Sequence, residues 1–135
     1  MSQSGMGTRE RRTVLIIEDE RPLLEVVQIK LEGSGFDVIT ARSVAQALDF
    51  LGSLGGVSAI WLDHYLLGQH DGVEFVRQVR QGDSRYQSLP IFVISNSASE
   101  ETKAAYRELG GEGYYVKSDF QLDEIINDIR SVLHI

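Results

Sequence analysis

The sequence predicts an α/β protein: a parallel sheet of five strands with helices on both faces, for which we take the doubly wound order 2-1-3-4-5. Two observations lead to this prediction. Five short apolar runs lie along the chain. The first and third of them are apolar on both sides, which is typical of a strand buried on both faces of a sheet. A segment with helical spacing of apolar residues follows each run, and this alternation builds repeated βαβ units.

The predicted strands share an apolar interior. They cover Thr13–Ile17, Asp37–Ala41, Ala59–Leu62, Ile91–Ile94 and Tyr114–Val116. The third run leads directly into a carboxylate, Asp63, which therefore stands where that strand leaves the core. In open parallel sheets, ligands bind at the carboxyl ends of the strands.

Start and stop signals bound the first two helices. Pro22 suits the first turn of a helix, Gly33 and Gly35 follow its last apolar residue, and Ser43 can cap the second helix. The residues predicted to face inward are Leu23, Leu24, Val27 and Leu31 in the first helix, and Val44, Ala47, Leu48 and Leu51 in the second.

The last three helices differ in the strength of their patterns. The fourth, beginning at Ser99, is weak because its apolar residues supply little surface, whereas the fifth has the clearest amphipathic pattern in the chain. The apolar positions are Val73, Val76 and Val79 in the third helix, Ala104, Ala105 and Leu109 in the fourth, and Leu122, Ile125, Ile126, Ile129, Val132 and Leu133 in the fifth.

Composition narrows the class of protein. The 135 residues are 42% hydrophobic and 24% charged, which is ordinary for one globular domain. The net charge of −7 argues against nucleic-acid binding by the whole domain and favours a cation or a basic partner. The absence of cysteine excludes disulfides and thiolate metal sites.

The ends and the hydropathy of the chain complete this outline. Residues 1–12 are polar and rich in arginine, which predicts a disordered tail before a folded domain at 13–135. No apolar run reaches the length that a membrane span needs, and no signal-peptide pattern is present. We therefore expect a cytoplasmic protein without membrane contact.

Polar side chains follow four of the five predicted strands. They are Glu18 and Asp19, Asp63, Ser95 and Lys117. In a sheet of order 2-1-3-4-5 the first and third strands are neighbours, and the direction of winding reverses between them, which opens a crevice at that edge. We expect the three carboxylates to converge there, flanked by the serine and the lysine.

Three converging carboxylates repel one another. The repulsion is relieved when a pKa rises or when a hard divalent cation lies among them. Mg²⁺ typically takes one or two carboxylates together with phosphate oxygens. Lys117 supplies a charge for an anion and Ser95 a hydroxyl donor. Together these groups predict a phosphoryl-transfer site.

From about Thr13 to Leu133 the chain resembles the receiver domain of two-component response regulators, which has a flavodoxin-like (βα)5 fold. The matching features follow one another in order at the strand ends. They are the acidic pair Glu18-Asp19, the acceptor Asp63, the Asp71-Gly72 turn, Ser95 in the Thr/Ser position, and the segment from Gly113 to Lys117.

This resemblance implies a role for each site residue. Asp63 would accept a phosphoryl group, Lys117 would pair with the phosphoryl oxygens, and Ser95 would move towards the phosphate while Tyr114 swings inward as a switch. Mg²⁺ would be bound by Asp19, Asp63, the backbone carbonyl of Tyr65, and Glu18 through water.

The resemblance also implies the partners. The phosphoryl donor would be a phosphohistidine on a sensor histidine kinase or a histidine phosphotransfer protein. The face made by the fourth helix, fifth strand and fifth helix would carry the signal to a downstream protein or output domain, or form a homodimer. The domain would assist its own phosphorylation and dephosphorylation without being an enzyme that acts on other substrates.

The sequence departs from the usual family pattern near the site. Ser118 follows Lys117 where proline is usual, Leu67 replaces another proline, and the loop after the acceptor is one residue longer. The bulky Tyr65 lies two residues beyond Asp63, and Asn96 replaces a small residue after Ser95. We hypothesise that Tyr65 and Asn96 slow the attack of water on the phosphoaspartate.

Three other functions stay open on the sequence. A degenerate receiver would act only as a docking module without phosphorylation. A small phosphatase is less favoured, because Tyr65 stands where a second acid/base aspartate would be needed. A flavodoxin-like cofactor binder is disfavoured because the first loop, Glu18 to Pro22, is acidic and lacks groups that cradle a phosphate.

Overall fold

The five predicted strands form one parallel sheet. A computed structural model of the protein describes residues 11–53, 55–64, 72–82, 85–96, 99–117 and 121–135. Its strands are β1 (Thr13–Ile17), β2 (Asp37–Ala41), β3 (Val57–Asp63), β4 (Ile91–Ser95) and β5 (Gly113–Val116). Their order across the sheet is β2-β1-β3-β4-β5, with every pairing parallel. The predicted order is confirmed.

Five helices alternate with the strands, as the periodicity predicts. They are α1 (Arg21–Gly33), α2 (Val44–Ser53), α3 (Gly72–Gln81), α4 (Glu100–Glu108) and α5 (Leu122–Leu133). Local signals fix several of their starts: Pro22 lies in the first turn of α1, and Ser43 and Ser99 accept hydrogen bonds from the backbone N–H groups of Gln46 and Thr102. Such caps satisfy backbone donors that the first helical turn leaves unpaired.

Each face of the sheet packs against its own layer of helices. Alternate residues of β1 and β3 point to opposite faces, because side chains in a strand alternate with a period of two. Leu15 and Leu62 face α2, α3 and α4, whereas Val14 and Trp61 face α1 and α5. Each fully buried aliphatic or aromatic side chain contributes roughly 1.5–3 kcal/mol, so these two layers dominate the stability of the fold.

Two helices bury aromatic residues that the periodicity analysis did not assign to the core. Phe75 of α3 is fully buried, and Val73, which was predicted to face inward, is only partly buried. In α4 the one buried residue is Tyr106, which directly follows the predicted residues Ala104 and Ala105. A tyrosine in a charged, weakly apolar helix carries no periodic signal, so only packing could assign it.

Arg11, which lies just before β1, contacts residues at the start of the outer strand β2. The Arg11 guanidinium donates to the Asp37 carboxylate at 2.7 Å and to the Phe36 carbonyl at 2.7 Å. Residues 1–10 of the predicted tail lie outside the described residues. None of the helices in the described ranges has the length and hydrophobicity of a membrane-spanning helix.

Candidate phosphoryl-acceptor site

Strand register brings the polar strand ends to one edge of the sheet. Ile17 of β1 pairs with Leu62 of β3, so the residues that follow them, Glu18 and Asp63, are neighbours. Asp63 in turn pairs with Ile94 of β4. The register therefore gathers these carboxyl strand ends at a single level.

The next strand pair continues this edge. Ser95, the last residue of β4, pairs with Val116 of β5. The Lys117 backbone N–H then donates to the Ser95 carbonyl at 2.7 Å. Ser95 is fully buried, so its hydroxyl belongs to the floor of the crevice rather than to its rim.

Three carboxylates meet where β1 and β3 lie side by side. Glu18, Asp19 and Asp63 each offer an oxygen atom, and these atoms lie within 4.8 Å of one another. Glu18 and Asp63 are buried, and Asp19 is partly exposed. This is the convergence that the strand-end pattern predicts.

Burial raises the pKa of Glu18. Loss of hydration, with the negative charge of Asp63 as a second cause, raises the pKa of Glu18 to about 8. The Glu20 backbone N–H, which donates to Glu18 Oε2 at 3.2 Å, and the charge of Lys117 act in the opposite direction. Without a cation, the cluster therefore relieves its repulsion by holding a proton.

Lys117 supplies positive charge to the cluster. Its Nζ lies 3.8 Å from Asp63 Oδ1, and its side chain is about one-quarter exposed at 27%. The lysine thus reaches the Asp63 carboxylate from the end of β5, on the side away from β1.

The donor set suits a hard divalent cation. All three groups are carboxylates, and Mg²⁺ prefers oxygen ligands and takes one or two carboxylates in typical sites. The positive charge of a cation among them would also oppose the burial and the Asp63 charge that raise the pKa of Glu18. These residues therefore fit the magnesium that the resemblance implies.

The remaining predicted residues differ in how they relate to this cluster. Tyr114 is partly buried on β5, and its ring lies beside that of Tyr106. Asn96 is exposed directly after Ser95. Tyr65, Leu67, Asp71 and Ser118 lie outside the described residues, so the predicted carbonyl ligand and the Lys117-Ser118 bond stay predictions.

Two contacts near the site are absent from the sequence analysis. Arg42 Nη2 donates to the Asp19 carbonyl at 3.0 Å. Because Arg42 directly follows β2, the strand-end rule could have found it. The second is a 2.7 Å hydrogen bond between His64 Nδ1 and the Tyr106 hydroxyl, which joins residues 42 positions apart and has no sequence signal.

Comparisons with known proteins agree with this architecture. Residues 14–130 match the response regulator receiver domain. Among curated proteins, the chain is 31% identical over 124 residues to the uncharacterized transcriptional regulatory protein YkoG of Bacillus subtilis. That alignment covers 92% of this chain and 52% of the relative, so the chain spans about half the length of this protein.

Solved structures show the same fold. The Vibrio cholerae chemotaxis protein CheY4 aligns with a TM-score of 0.82 and 26% identity, covering 91% of this chain and 99% of that one. A sensor protein from Polaromonas sp. JS666 aligns with a TM-score of 0.80 and 27% identity, covering 93% and 98%. With the family match, the five-stranded flavodoxin-like sheet and the acidic strand-end cluster, the chain belongs to the receiver domain family of the response regulators of two-component signalling.

Proposed function

We propose that this domain signals through Mg²⁺-dependent phosphorylation of Asp63. The observation that carries the proposal is the position of the buried Asp63 carboxylate, with carboxylate groups on one side and a positively charged lysine on the other. Glu18 and Asp19 approach it on one side, and Lys117 approaches it on the other. A carboxylate between a cation-binding pair and a lysine is suited to receive a dianionic phosphoryl group.

The transfer is a simple exchange of bonds. A carboxylate oxygen of Asp63 forms the new bond to phosphorus while the bond between phosphorus and the donor histidine nitrogen breaks, and the histidine ring keeps the electron pair. The donor is a histidine kinase or a histidine phosphotransfer protein. Lys117 pairs with the phosphoryl oxygens, and the Ser95 hydroxyl donates to one of them.

Asp19 and Asp63 would bind Mg²⁺ directly, with Glu18 acting through water and the Tyr65 carbonyl as a further ligand. When bound, the ion supplies positive charge that offsets the charge on the phosphoryl oxygens. The proposed carboxylate ligands lie at or directly after the carboxyl ends of β1 and β3, which are paired in register.

The output is a change in the surface formed by α4, β5 and α5. Ser95 and Tyr114 act as the switch, and the changed surface binds a downstream protein or an output domain, or forms a homodimer. The domain assists its own phosphorylation and dephosphorylation and is not an enzyme for other substrates. We propose that it works in the cytoplasm, with no direct contact to nucleic acid or membrane.

Intact-mass measurement tests the acceptor. The protein is incubated with Mg²⁺ and acetyl phosphate, beside Asp63→Asn and a sample containing EDTA. We expect one added phosphoryl group only in the wild type with Mg²⁺. No added mass under any Mg²⁺ condition would favour the docking-module function, and continuous release of phosphate from small phosphoesters would favour a phosphatase.

A further inference from the structure

Helix α4 packs against the core through one buried aromatic residue and, at its C-terminal end, the partly buried Leu109. Tyr106 is the one buried residue of α4, and its ring belongs to the same apolar layer as Leu62 of β3. The rest of the helix is rich in charged residues, including Glu100, Glu101 and Lys103. The position of α4 on the sheet therefore depends on what holds Tyr106.

The Tyr106 hydroxyl is held next to the acceptor. It forms a buried hydrogen bond of 2.7 Å with Nδ1 of His64, the residue that follows Asp63. The two rings meet edge to face, with centroids 5.5 Å apart and planes at 81°. The backbone of His64 is joined to β4, because its N–H donates to the Ile94 carbonyl at 3.0 Å.

Gly72 leaves the space that this contact occupies. A Cβ atom at position 72 would collide with the Tyr106 hydroxyl and would come within 3.2 Å of Leu62. The Gly72 backbone N–H also donates to the His64 carbonyl at 3.2 Å. The Tyr106 hydroxyl thus packs against both His64 and Gly72, the first residue of α3.

Tyr106 also contacts strand β5. Its ring lies 5.8 Å from that of Tyr114 on β5, at an angle of 43°. A continuous series of contacts therefore runs from Asp63 through His64 and Tyr106 to Tyr114. It joins the acceptor edge of the sheet to the α4–β5 surface.

We propose that Tyr106 is a positioning residue that couples the acceptor Asp63 to helix α4, through its hydrogen bond to His64 and its ring contact with Tyr114. Because α4 has this one buried anchor, a displacement of His64 when Asp63 is modified shifts the helix and changes the packing of Tyr114. The inference rests on the proposed function, since it concerns what phosphorylation of Asp63 moves.

Three variants separate the coupling from ordinary packing. Tyr106→Phe removes the hydroxyl and keeps the ring, His64→Leu removes the nitrogen, and His64→Asn keeps a polar atom near the place of Nδ1. Tyr115→Phe is the matched control. It also removes one hydroxyl hydrogen bond of 2.7 Å, the partly buried bond to Asp128. Tyr115 lies on the same strand as Tyr114 but on the opposite face of the sheet.

The experiment follows backbone amides by NMR while the 15N-labelled protein is titrated with beryllofluoride and Mg²⁺. Amides of Asp63 and Ser95 report whether the probe binds, and amides of α4 report the response of the helix. We expect Tyr106→Phe and His64→Leu to reduce the α4 response relative to the strand-end response by about twofold to tenfold. His64→Asn should recover part of the response, and Tyr115→Phe should leave it unchanged.

The double variant Tyr106→Phe/His64→Leu decides whether the two residues act together. A loss no larger than that of either single variant supports the coupling, because both changes remove the same bond. Additive losses, or a normal α4 response in Tyr106→Phe, would overturn it. A wild type whose strand-end amides do not respond would instead contradict the proposed function itself.

Discussion

The Lys117 ammonium lies 3.8 Å from the Asp63 carboxylate, which is close enough for an ion pair but longer than a direct hydrogen bond. The attraction therefore acts mainly through charge. The same ammonium lowers the pKa of Glu18, against the burial and the Asp63 charge that raise it. Lys117 thus moderates the repulsion of the whole acidic cluster.

Replacing Lys117 should change both charge and chemistry at the site. In Lys117→Met we expect the pKa of Glu18 to rise further, so that Mg²⁺ binding requires a higher pH than in the wild type. We also expect phosphorylation to slow by about tenfold or more, because the lysine no longer stabilises the transferring group. Mg²⁺ titrations at several pH values, followed by Trp61 fluorescence, measure the first effect, and intact mass against time measures the second.

Lys103→Met is the control for this variant. Lys103 pairs with Glu100 on the surface of α4 at 3.4 Å, so its loss removes the same charge away from the site. A matching shift of the Mg²⁺ profile in both variants would show that only the net charge of the protein matters.

The raised pKa of Glu18 predicts how stability depends on pH without metal. Between about pH 4.5 and about pH 8 the folded protein keeps a proton on Glu18 that the unfolded chain has lost. The free energy of unfolding should therefore decrease as the pH rises through this window, by at most about 1.4 kcal/mol per pH unit from this group. Urea unfolding in EDTA at pH 6 and pH 8 measures the change.

Glu18→Gln removes this titration and should flatten the dependence. Saturating Mg²⁺ should also flatten the wild-type trend, since the ion binds the deprotonated cluster and so removes the proton difference between the folded and unfolded states. An unchanged pH dependence in Glu18→Gln would assign the effect to other groups.

Gly72 and Tyr106 should show non-additive stability changes. Gly72→Ala places a methyl group against the Tyr106 hydroxyl, so we expect a loss of about 1–3 kcal/mol. In the Tyr106→Phe background the hydroxyl is absent, and the same substitution should cost clearly less. Urea unfolding of the four proteins measures the difference, and equal costs of Gly72→Ala in both backgrounds would rule out the collision as the cause.

Arg80 should be the most important surface arginine for stability. Its guanidinium donates to the carbonyls of Leu109 at 2.7 Å, Leu89 at 2.8 Å and Gly110 at 2.9 Å, and so ties α3 to the segments before β4 and β5. Arg80→Lys keeps the charge but loses the planar arrangement of donors, and we expect a loss of about 1–3 kcal/mol in urea unfolding.

Arg77 on the same helix provides the comparison. It pairs with Glu74 one turn away, and both side chains are largely exposed. Arg77→Lys should therefore change the free energy of unfolding by less than about 0.5 kcal/mol. Equal effects at the two positions would contradict the role given to the backbone contacts of Arg80.

Asn96 should influence the lifetime of the phosphorylated protein. Because it is exposed directly after Ser95, a smaller side chain there should open the site to water. After the donor is removed, we expect Asn96→Ala to lose the added phosphoryl mass about twofold to tenfold faster, which corresponds to a hydrolysis barrier lower by about 0.4–1.4 kcal/mol. Asn127→Ala, an exposed asparagine on α5, is the control, and an unchanged lifetime at position 96 would contradict the hypothesis.

The strands and the strand-end positions of the acidic cluster were predictable from the sequence because they depend on local patterns, whereas the strand order came from the doubly wound fold that alternating strands and helices favour. A short run that is apolar on both sides is typical of a strand buried in a sheet, and a polar residue at its end is then expected at the sheet edge. That rule located Glu18, Asp63 and Lys117, whose side chains the register brings together. It could also have found Arg42, which follows β2.

Other contacts depend on how distant elements pack, which no local pattern records. Four features follow from the distances between helices and strands that are far apart in the chain. They are the inward position of Phe75, the one buried residue of α4, the His64–Tyr106 hydrogen bond and the carbonyl contacts of Arg80. The sequence by itself therefore determined which residues reach the edge of the sheet that carries Asp63, because strand periodicity and strand ends can be read from neighbouring residues in the chain. Only the tertiary structure decided which residue of α4 lies beside the acceptor, because close packing selects a side chain by its shape and its hydrogen bond rather than by its spacing.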